Sequence, residues 1–207
     1  FHPVFGSVTS LWHDYREAGI DDPEQAALPP MPLLQQAALH TALDRLVIDE
    51  AASTVYLADP AMRLDVGAIA KGYAVEQVSR AARANGFSSG LISVGGNVCA
   101  IGSREDGPWK VGIRSPLPGS DAQTTLRTVG LRDQSLVTSG GYQRYCVSIV
   151  CGDSGLADAL STAVFNLPLE QGRQLIESLD GVEAFWVLPD GTTAESSGFS
   201  ALVVLES

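Results

Sequence analysis

Hydrophobic and polar positions along the chain follow two periods. Trp109-Lys110-Val111-Gly112-Ile113-Arg114 alternates residue by residue, as a half-buried strand does, and stops at Ser115-Pro116. The same logic predicts strands at Leu91–Val94, Val98–Ile101, Leu126–Leu131, Ser135–Thr138 and Val182–Leu188, with a closing strand at Ala201–Leu205. Leu46–Asp49 and Thr54–Leu57, joined by Glu50–Ser53, read as a hairpin. A helical period is expected over Leu33–Ala42. It recurs from the Gly67 turn to about Asn85, where Gly86 suits the end, and from Pro168 to Leu179. Over Leu156–Phe165 the apolar face is read as Leu156, Ala159, Leu160, Ala163 and Val164.

Near the start, a Pro/Gly turn leads to a short helix carrying Leu11, Trp12 and Tyr15; Pro23, Pro29, Pro30 and Pro32 then make a surface connection that cannot continue it. Strands and helices are mixed throughout, with no repeat and no low-complexity tract. The pattern defines an α/β or α+β fold.

Composition narrows the function classes. With 207 residues and 45% hydrophobic content the chain can bury a sizeable core, so disorder is excluded as its main state. Its 13 Lys+Arg against 24 Asp+Glu give a net charge of −11, which argues against broad binding of nucleic acid or an anionic membrane. A phosphate-bearing ligand must then be held locally, by backbone N–H groups, one or two cations, or a metal. Cys99, Cys146 and Cys151 lie in apolar runs and are read as buried free thiols in preference to a Cys146/Cys151 bridge. No apolar run approaches the ~18 residues of a membrane span. The start at Phe1, without Met, leads to the expectation of a processed or incompletely represented N-terminus.

Four segments could carry chemistry. Asp65-Val66-Gly67-Ala68-Ile69-Ala70-Lys71-Gly72-Tyr73 reads as a carboxylate leaving a strand, a tight turn and a Lys at a helix opening, a phosphate-friendly arrangement that does not fit a P-loop; a plain strand-to-helix turn is the alternative. In Ser93-Val94-Gly95-Gly96-Asn97, paired glycines permit close backbone approach and Asn97 can donate and accept; taken alone, a glycine-bearing bulge or turn is the favoured reading. Val137-Thr138-Ser139-Gly140-Gly141-Tyr142-Gln143-Arg144-Tyr145 groups hydroxyls, glycines, an aromatic and a guanidinium; by itself it is read first as a turn with an ordinary surface Arg. In Ala157–Ala163 (ADALSTA), Asp158 and Thr162 stand at i and i+4 on one helix face, a hydroxyl and carboxylate pair suited to a hard cation such as Mg²⁺; the alternative is a carboxylate offsetting the helix dipole. There is no G-x-G-x-x-G or G-x-S-x-G. His2, His13 and His40 all fall in the first 40 residues, which leaves them as surface or packing residues.

In this order, the segments resemble the ApbE family of FAD:protein FMN transferases. The family pattern runs D-x-G-x-I-A-K-G-Y, GG[ND], W-x-[VI]-G-I-x-x-P, T-S-G-x-Y-x-R and A-D-A-L-S-T-A. These correspond to Asp65–Tyr73, Gly95–Asn97, Trp109–Pro116, Thr138–Arg144 and Ala157–Ala163, and Phe1-His2-Pro3 with Gly6 and Trp12 resembles F-D-P…G…W.

The resemblance implies a single α+β domain over residues 1–207, with a T-fold-related architecture and a flavin site between two subregions. It implies an Mg²⁺-dependent enzyme of the cell envelope, periplasmic or lipid-anchored, that transfers FMN from FAD to a Thr or Ser hydroxyl of an acceptor protein and releases AMP. Asp158 and Thr162 would be metal ligands, joined by the Ala68 carbonyl. Lys71, Gly95, Gly96, Asn97, Ser139 and Gly140 would line the FAD pocket, with Trp109 and Ile113 at its wall. A flavin-binding protein without turnover and an Mg²⁺-dependent FAD pyrophosphatase are the alternatives.

Three features depart from the pattern. Residues before F-D-P are lacking, Gly141 stands where the family has Asp, and no H-x-I-I-D-P-x-T-G-x-P segment separates Cys146 from Val147. No catalytic residue is therefore assigned. The clean break between intact motifs leads to the expectation that residues are omitted there; the other reading is a member that has lost its catalytic loop.

Overall fold

The computed structural model describes residues 2–116, 124–140 and 145–204, so Phe1, Gly141–Arg144 and Leu205 of the motifs and elements above lie outside the described residues. The chain divides into two compact units, Phe1–Val66 and Gly67–Ser207.

In the first unit, α1 (Gly6–Asp21) starts where Gly6 passes close to the chain: a Cβ there would stand 2.5 Å from the Arg63 carbonyl oxygen, which accepts the Gly6 N–H. Val4, Val8 and Met62 are its buried apolar residues. Helix α2 covers Met31–Ala38, not Leu33–Ala42: Pro30 precedes it and Pro32 sits in its first turn, where the missing N–H has no partner to lose. Strands β1 (Leu46–Asp49) and β2 (Thr54–Leu57) form the predicted hairpin, with Leu46 opposite Leu57. No strand precedes Asp65, whose N–H donates to the Pro3 carbonyl from an extended stretch.

The second unit opens with α3 (Gly67–Ala84), which begins earlier than expected, so Lys71 lies in its second turn and not at its opening. Gly86, with φ of +86°, follows its end. Strands β3 (Gly90–Val94), β4 (Asn97–Ile101), β5 (Trp109–Arg114), β6 (Thr125–Leu131), β7 (Ser135–Gly140) and β8 (Cys146–Cys151) come next. Helices α4 (Ser154–Phe165) and α5 (Leu169–Glu177) then lead to β9 (Glu183–Val187) and β10 (Thr193–Glu195). Six strands pair in the order β10-β9-β8-β7-β4-β3, every pair antiparallel, and β5 pairs with β6 as a separate ribbon. Helices beside an antiparallel sheet make this an α+β fold.

Successive side chains of a strand point to opposite faces, and the cores follow that rule. Val137, Val147, Ile149 and Cys151 pack with Ala157, Leu160 and Val164 of α4. Leu136, Cys146 and Val150 pack instead with Ile113, Val129 and Leu131 of the β5–β6 ribbon and with Phe185 and Phe199. All three cysteines are buried and free.

Two expectations fail here. The Ala201–Leu205 strand is replaced over its described part by a 3₁₀ turn at Phe199–Leu202 and a single bridge from Val203 to Val129, while β10 was not foreseen. The buried face of α4 is Ala157, Asp158, Leu160, Ser161 and Val164, with Leu156 exposed. Asp153 caps the helix by accepting the Leu156 N–H, so Asp158 is not needed to offset the dipole.

Candidate functional site

The site is built where α3 meets α4. Glu76 of α3 accepts the Ser154 N–H at 3.0 Å, and one turn earlier the Gly72 N–H donates to Asp158 Oδ2 at 2.8 Å. Moving down α3 by four residues therefore moves up α4 by four: the helices run antiparallel in register. One further turn along each helix from Gly72 and Asp158 stand Ala68 and Thr162 in the sequence. In a regular helix the Gly72 N–H is directed at the Ala68 carbonyl four residues back. Here that donor serves Asp158.

Only glycine allows this approach. A Cβ on Gly72 would stand 2.3 Å from the Ser154 carbonyl oxygen and 2.5 Å from the Asp158 Cβ. Asp158 is 4% exposed, and among the described residues it has no ion pair. A carboxylate buried with one neutral donor is an expensive arrangement that a cation relieves.

The other motifs converge on the same helix pair. Asn97 is fully buried at the start of β4; its Oδ1 accepts from Ser154 Oγ at 2.8 Å while its Nδ2 has no partner among the described residues. It therefore tethers the first turn of α4 from beneath, and does not present a surface to a pocket as the sequence suggested. Ser139 Oγ and Ser161 Oγ are 2.8 Å apart, and Ser161 also donates to the Asp158 carbonyl. The Gly96 carbonyl accepts the Thr138 N–H at 3.0 Å, and a Cβ at Gly95 would lie 3.8 Å from Lys71 Cδ. Gly95 and Gly96 have φ of +51° and +89°, a region that favours glycine. Gly140 ends β7 opposite Cys146 and is exposed.

Trp109 and Ile113 are not part of this cluster. Ile113 is 2% exposed in the core shared with Leu136, whereas Ser139 shares the α4-facing side of β7 with Val137. Strand alternation places the two groups on opposite faces of the sheet, so the structure does not bring Trp109 or Ile113 to the α3–α4 cluster. Gly72, Ser154, Ser161 and Glu76 were not singled out from sequence for their contacts, since their roles depend on which helices cross.

Beside the cluster, an apolar cleft of about 410 Å³ lies between α3 and β3, walled by Ala70, Ala74, Val78, Ile92 and Val94, with Lys71 on its lining. The first unit has its own larger cavity, about 930 Å³, lined among others by Trp12, Tyr15, Leu28 and Asp65. There the Thr9 hydroxyl donates to Asp65 Oδ2 at 2.8 Å.

Whether Asp158 could hold a metal turns on donor chemistry. Among the described residues no three His, Cys, Asp or Glu side chains group to bind one. A site at Asp158 would thus combine one carboxylate with hydroxyl and carbonyl oxygens, a hard donor set that fits Mg²⁺ and does not fit zinc.

Fold and site together define an α+β protein in which Asp158, the one carboxylate buried among the described residues, is set against glycine-rich turns. Comparison with known proteins gives that class its family: the ApbE family model matches residues 1–147, and the chain belongs to the ApbE family. The chain is 30% identical to the FAD:protein FMN transferase of Treponema pallidum, over 96% of this chain and 63% of that protein. It is also 30% identical to one from Klebsiella pneumoniae, over 69% of this chain and 51% of that protein. The crystal structure of the ApbE protein of Thermotoga maritima superposes with a TM-score of 0.81 at 25% identity, covering 99% of this chain and 72% of that one. The apo form of the Pseudomonas stutzeri flavinyl transferase ApbE gives 0.77 at 26%, covering 100% and 70%. The chain thus spans about half to two thirds of the length of these two curated relatives.

Proposed function

We propose that this chain carries the cation and nucleotide site of a flavin transferase that moves FMN from FAD to a Thr or Ser hydroxyl of an acceptor protein in the cell envelope. The observation that carries the reading is the buried Asp158 carboxylate of α4, without an ion pair among the described residues and accepting the Gly72 N–H of α3. The relatives' names supply the reaction class.

In that reaction the acceptor hydroxyl oxygen attacks the FMN-side phosphorus, the bridging P–O bond breaks, AMP departs with the bridging oxygen and the hydroxyl gives up its proton. Asp158, Thr162 and the Ala68 carbonyl would hold Mg²⁺. Bound there, Mg²⁺ supplies charge neutralisation at the pyrophosphate, the main requirement of phosphoryl transfer. Lys71 adds a second positive charge beside the Gly95-Gly96 turn, whose backbone lets a phosphate come close. The apolar cleft beyond Lys71 offers a bed for a planar ring. Ser139 and Ser161 orient the α4 backbone around Asp158.

A second reading, FAD binding without turnover, is favoured by one observation. Cys146 and Val147, between which the family pattern carries its histidine segment, are consecutive residues inside β8, paired with Gly140 and Ser139 of β7. Incubation with FAD and Mg²⁺, with and without an acceptor bearing a flavinylation Thr, separates the readings. Covalent flavin fluorescence on the acceptor is the expected result. AMP without labelling would make the protein a pyrophosphatase, and bound FAD with neither product would make it a binder.

A further inference from the structure

We infer that Glu76, braced by Arg80 and Asp153, is a positioning residue that sets the register of α3 against α4 and so holds the oxygen donors of the cation site; this rests on the cation-site reading above. The Glu76 carboxylate is used twice. Its Oε2 accepts the Ser154 N–H, the first of α4, at 3.0 Å, and its Oε1 accepts from Arg80 Nε at 2.8 Å. Arg80 reaches on to Asp153 Oδ2 at 3.0 Å, and Asp153 Oδ1 caps α4 through the Leu156 N–H at 2.9 Å. A closed circuit therefore joins the middle of α3 to the first turn of α4.

This circuit is more than surface charge pairing. The Arg80 side chain is 61% exposed and its ion pairs alone would contribute little, but the Glu76 side chain is 14% exposed and meets a fully buried Ser154. Glu76 lies four residues from Gly72 and eight from Ala68, on one stripe of α3; Ser154 lies four from Asp158 and eight from Thr162 on α4. The candidate donors thus come from two helices, and their spacing depends on how far one has slid along the other. Gly72 fixes the approach distance, and Glu76 fixes the axial register by engaging one of the few free backbone N–H groups of the first turn of α4. Side chains behind a metal's ligands typically change its affinity about 10–100-fold when removed.

The test is Mn²⁺ affinity of the chain, read by electron paramagnetic resonance of the free ion, with no flavin or acceptor present. Glu76→Ala is expected to weaken Mn²⁺ binding about tenfold or more, and Glu76→Gln, which keeps an acceptor for Ser154 and drops the charge toward Arg80, to fall between it and the unmodified chain. Glu177→Ala, which removes the partner of Ser197 outside this region, is the stability control and is expected to leave affinity unchanged. Glu76→Gln also serves as the readout if Glu76→Ala does not fold. Should Asp158→Ala abolish binding while both Glu76 variants retain full affinity, the positioning role is overturned and the cation site stands. Equal weakening by Glu76→Ala and Glu177→Ala would reduce Glu76 to a general stabiliser and overturn the role as well. Undiminished binding by Asp158→Ala would overturn the cation site itself.

Discussion

Gly72 and Asp158 touch across the α3–α4 crossing, the glycine N–H donating to the carboxylate at 2.8 Å where a Cβ would find the Ser154 carbonyl oxygen at 2.3 Å. Gly72→Ala would improve helix propensity by up to about 1 kcal/mol, but the obstructing atom belongs to the backbone and cannot swing aside. Forcing the helices apart is expected to outweigh that gain, at about 1–3 kcal/mol for overpacking. Urea unfolding should show a lowered midpoint with an unchanged slope, together with weakened Mn²⁺ binding. A variant as stable as the unmodified chain would show that the close approach is dispensable.

Asp158→Asn keeps an acceptor for the Gly72 N–H and removes the buried charge. Without metal its stability should equal or exceed that of the unmodified chain. Mg²⁺ at a hundred times its dissociation constant should stabilise the unmodified chain by about 2.7 kcal/mol and leave Asp158→Asn unmoved. Thermal melts with Mg²⁺ and with chelator check this; an equal Mg²⁺ shift in both would place the cation elsewhere.

Ile113 is core, and its substitutions should say so. Ile113→Val is expected to cost about 0.5–1.5 kcal/mol and Ile113→Ala about 2–5 kcal/mol, by transfer and cavity effects. Neither should change FAD affinity in fluorescence titration where the variant is folded. A weakened FAD complex in a fully folded Ile113→Val variant would restore the residue to the pocket wall.

These outcomes bear on what the sequence could tell. The β1–β2 hairpin was legible because two β-rich runs flank a short connection, and β5 because its residues alternate strictly up to Ser115-Pro116. The four motif segments were legible as a group, and the structure joins them by Lys71 beside Gly95, Gly96 with Thr138, Asn97 with Ser154, Ser139 with Ser161 and Gly72 with Asp158. The inward face of α4 was misjudged because apolar periodicity assigns polar residues to solvent, whereas Asp158 and Ser161 are buried for their hydrogen bonds. Trp109 and Ile113 carry a family motif, yet their place on the far face of the sheet follows from strand order, which local pattern does not encode. Glu76 was invisible for the same reason: its partner lies 78 residues away.

Burial pushes the Cys146 thiol up to about 11 from its ordinary 9.0, only partly countered by a hydrogen bond with the Val187 backbone. A pKa raised by folding contributes stability that is intact below 9.0 and is lost as pH rises toward 11, because the unfolded thiol ionises first. Unfolding midpoints should therefore fall across that window, and Cys146→Ala should flatten the decline, with Cys151, also raised by burial, leaving a residual slope. Thiol titration at neutral pH should find no fast-reacting cysteine in the folded chain and three in denaturant. A fast thiol in the native protein would contradict the buried assignment.

In the first unit, the His40 ring nitrogen Nδ1 lies 2.7 Å from Asp59 Oδ2 and ties the segment after α2 to the turn after β2. That hydrogen bond, and next the Ala61 N–H, hold the Asp59 carboxyl below its ordinary 3.8. A carboxylate depressed by folding contributes stability that is present above 3.8 and disappears as pH falls through the lower folded value. Acid should therefore loosen this unit through Asp59. Asp59→Asn is expected to lower its stability at neutral pH and to make the remaining stability less dependent on pH below 3.8. Hydrogen exchange of the α2 amides, followed from neutral pH into acid in both proteins, reads the effect locally. Parallel acid responses would mean that the His40–Asp59 contact does not couple to folding of the unit.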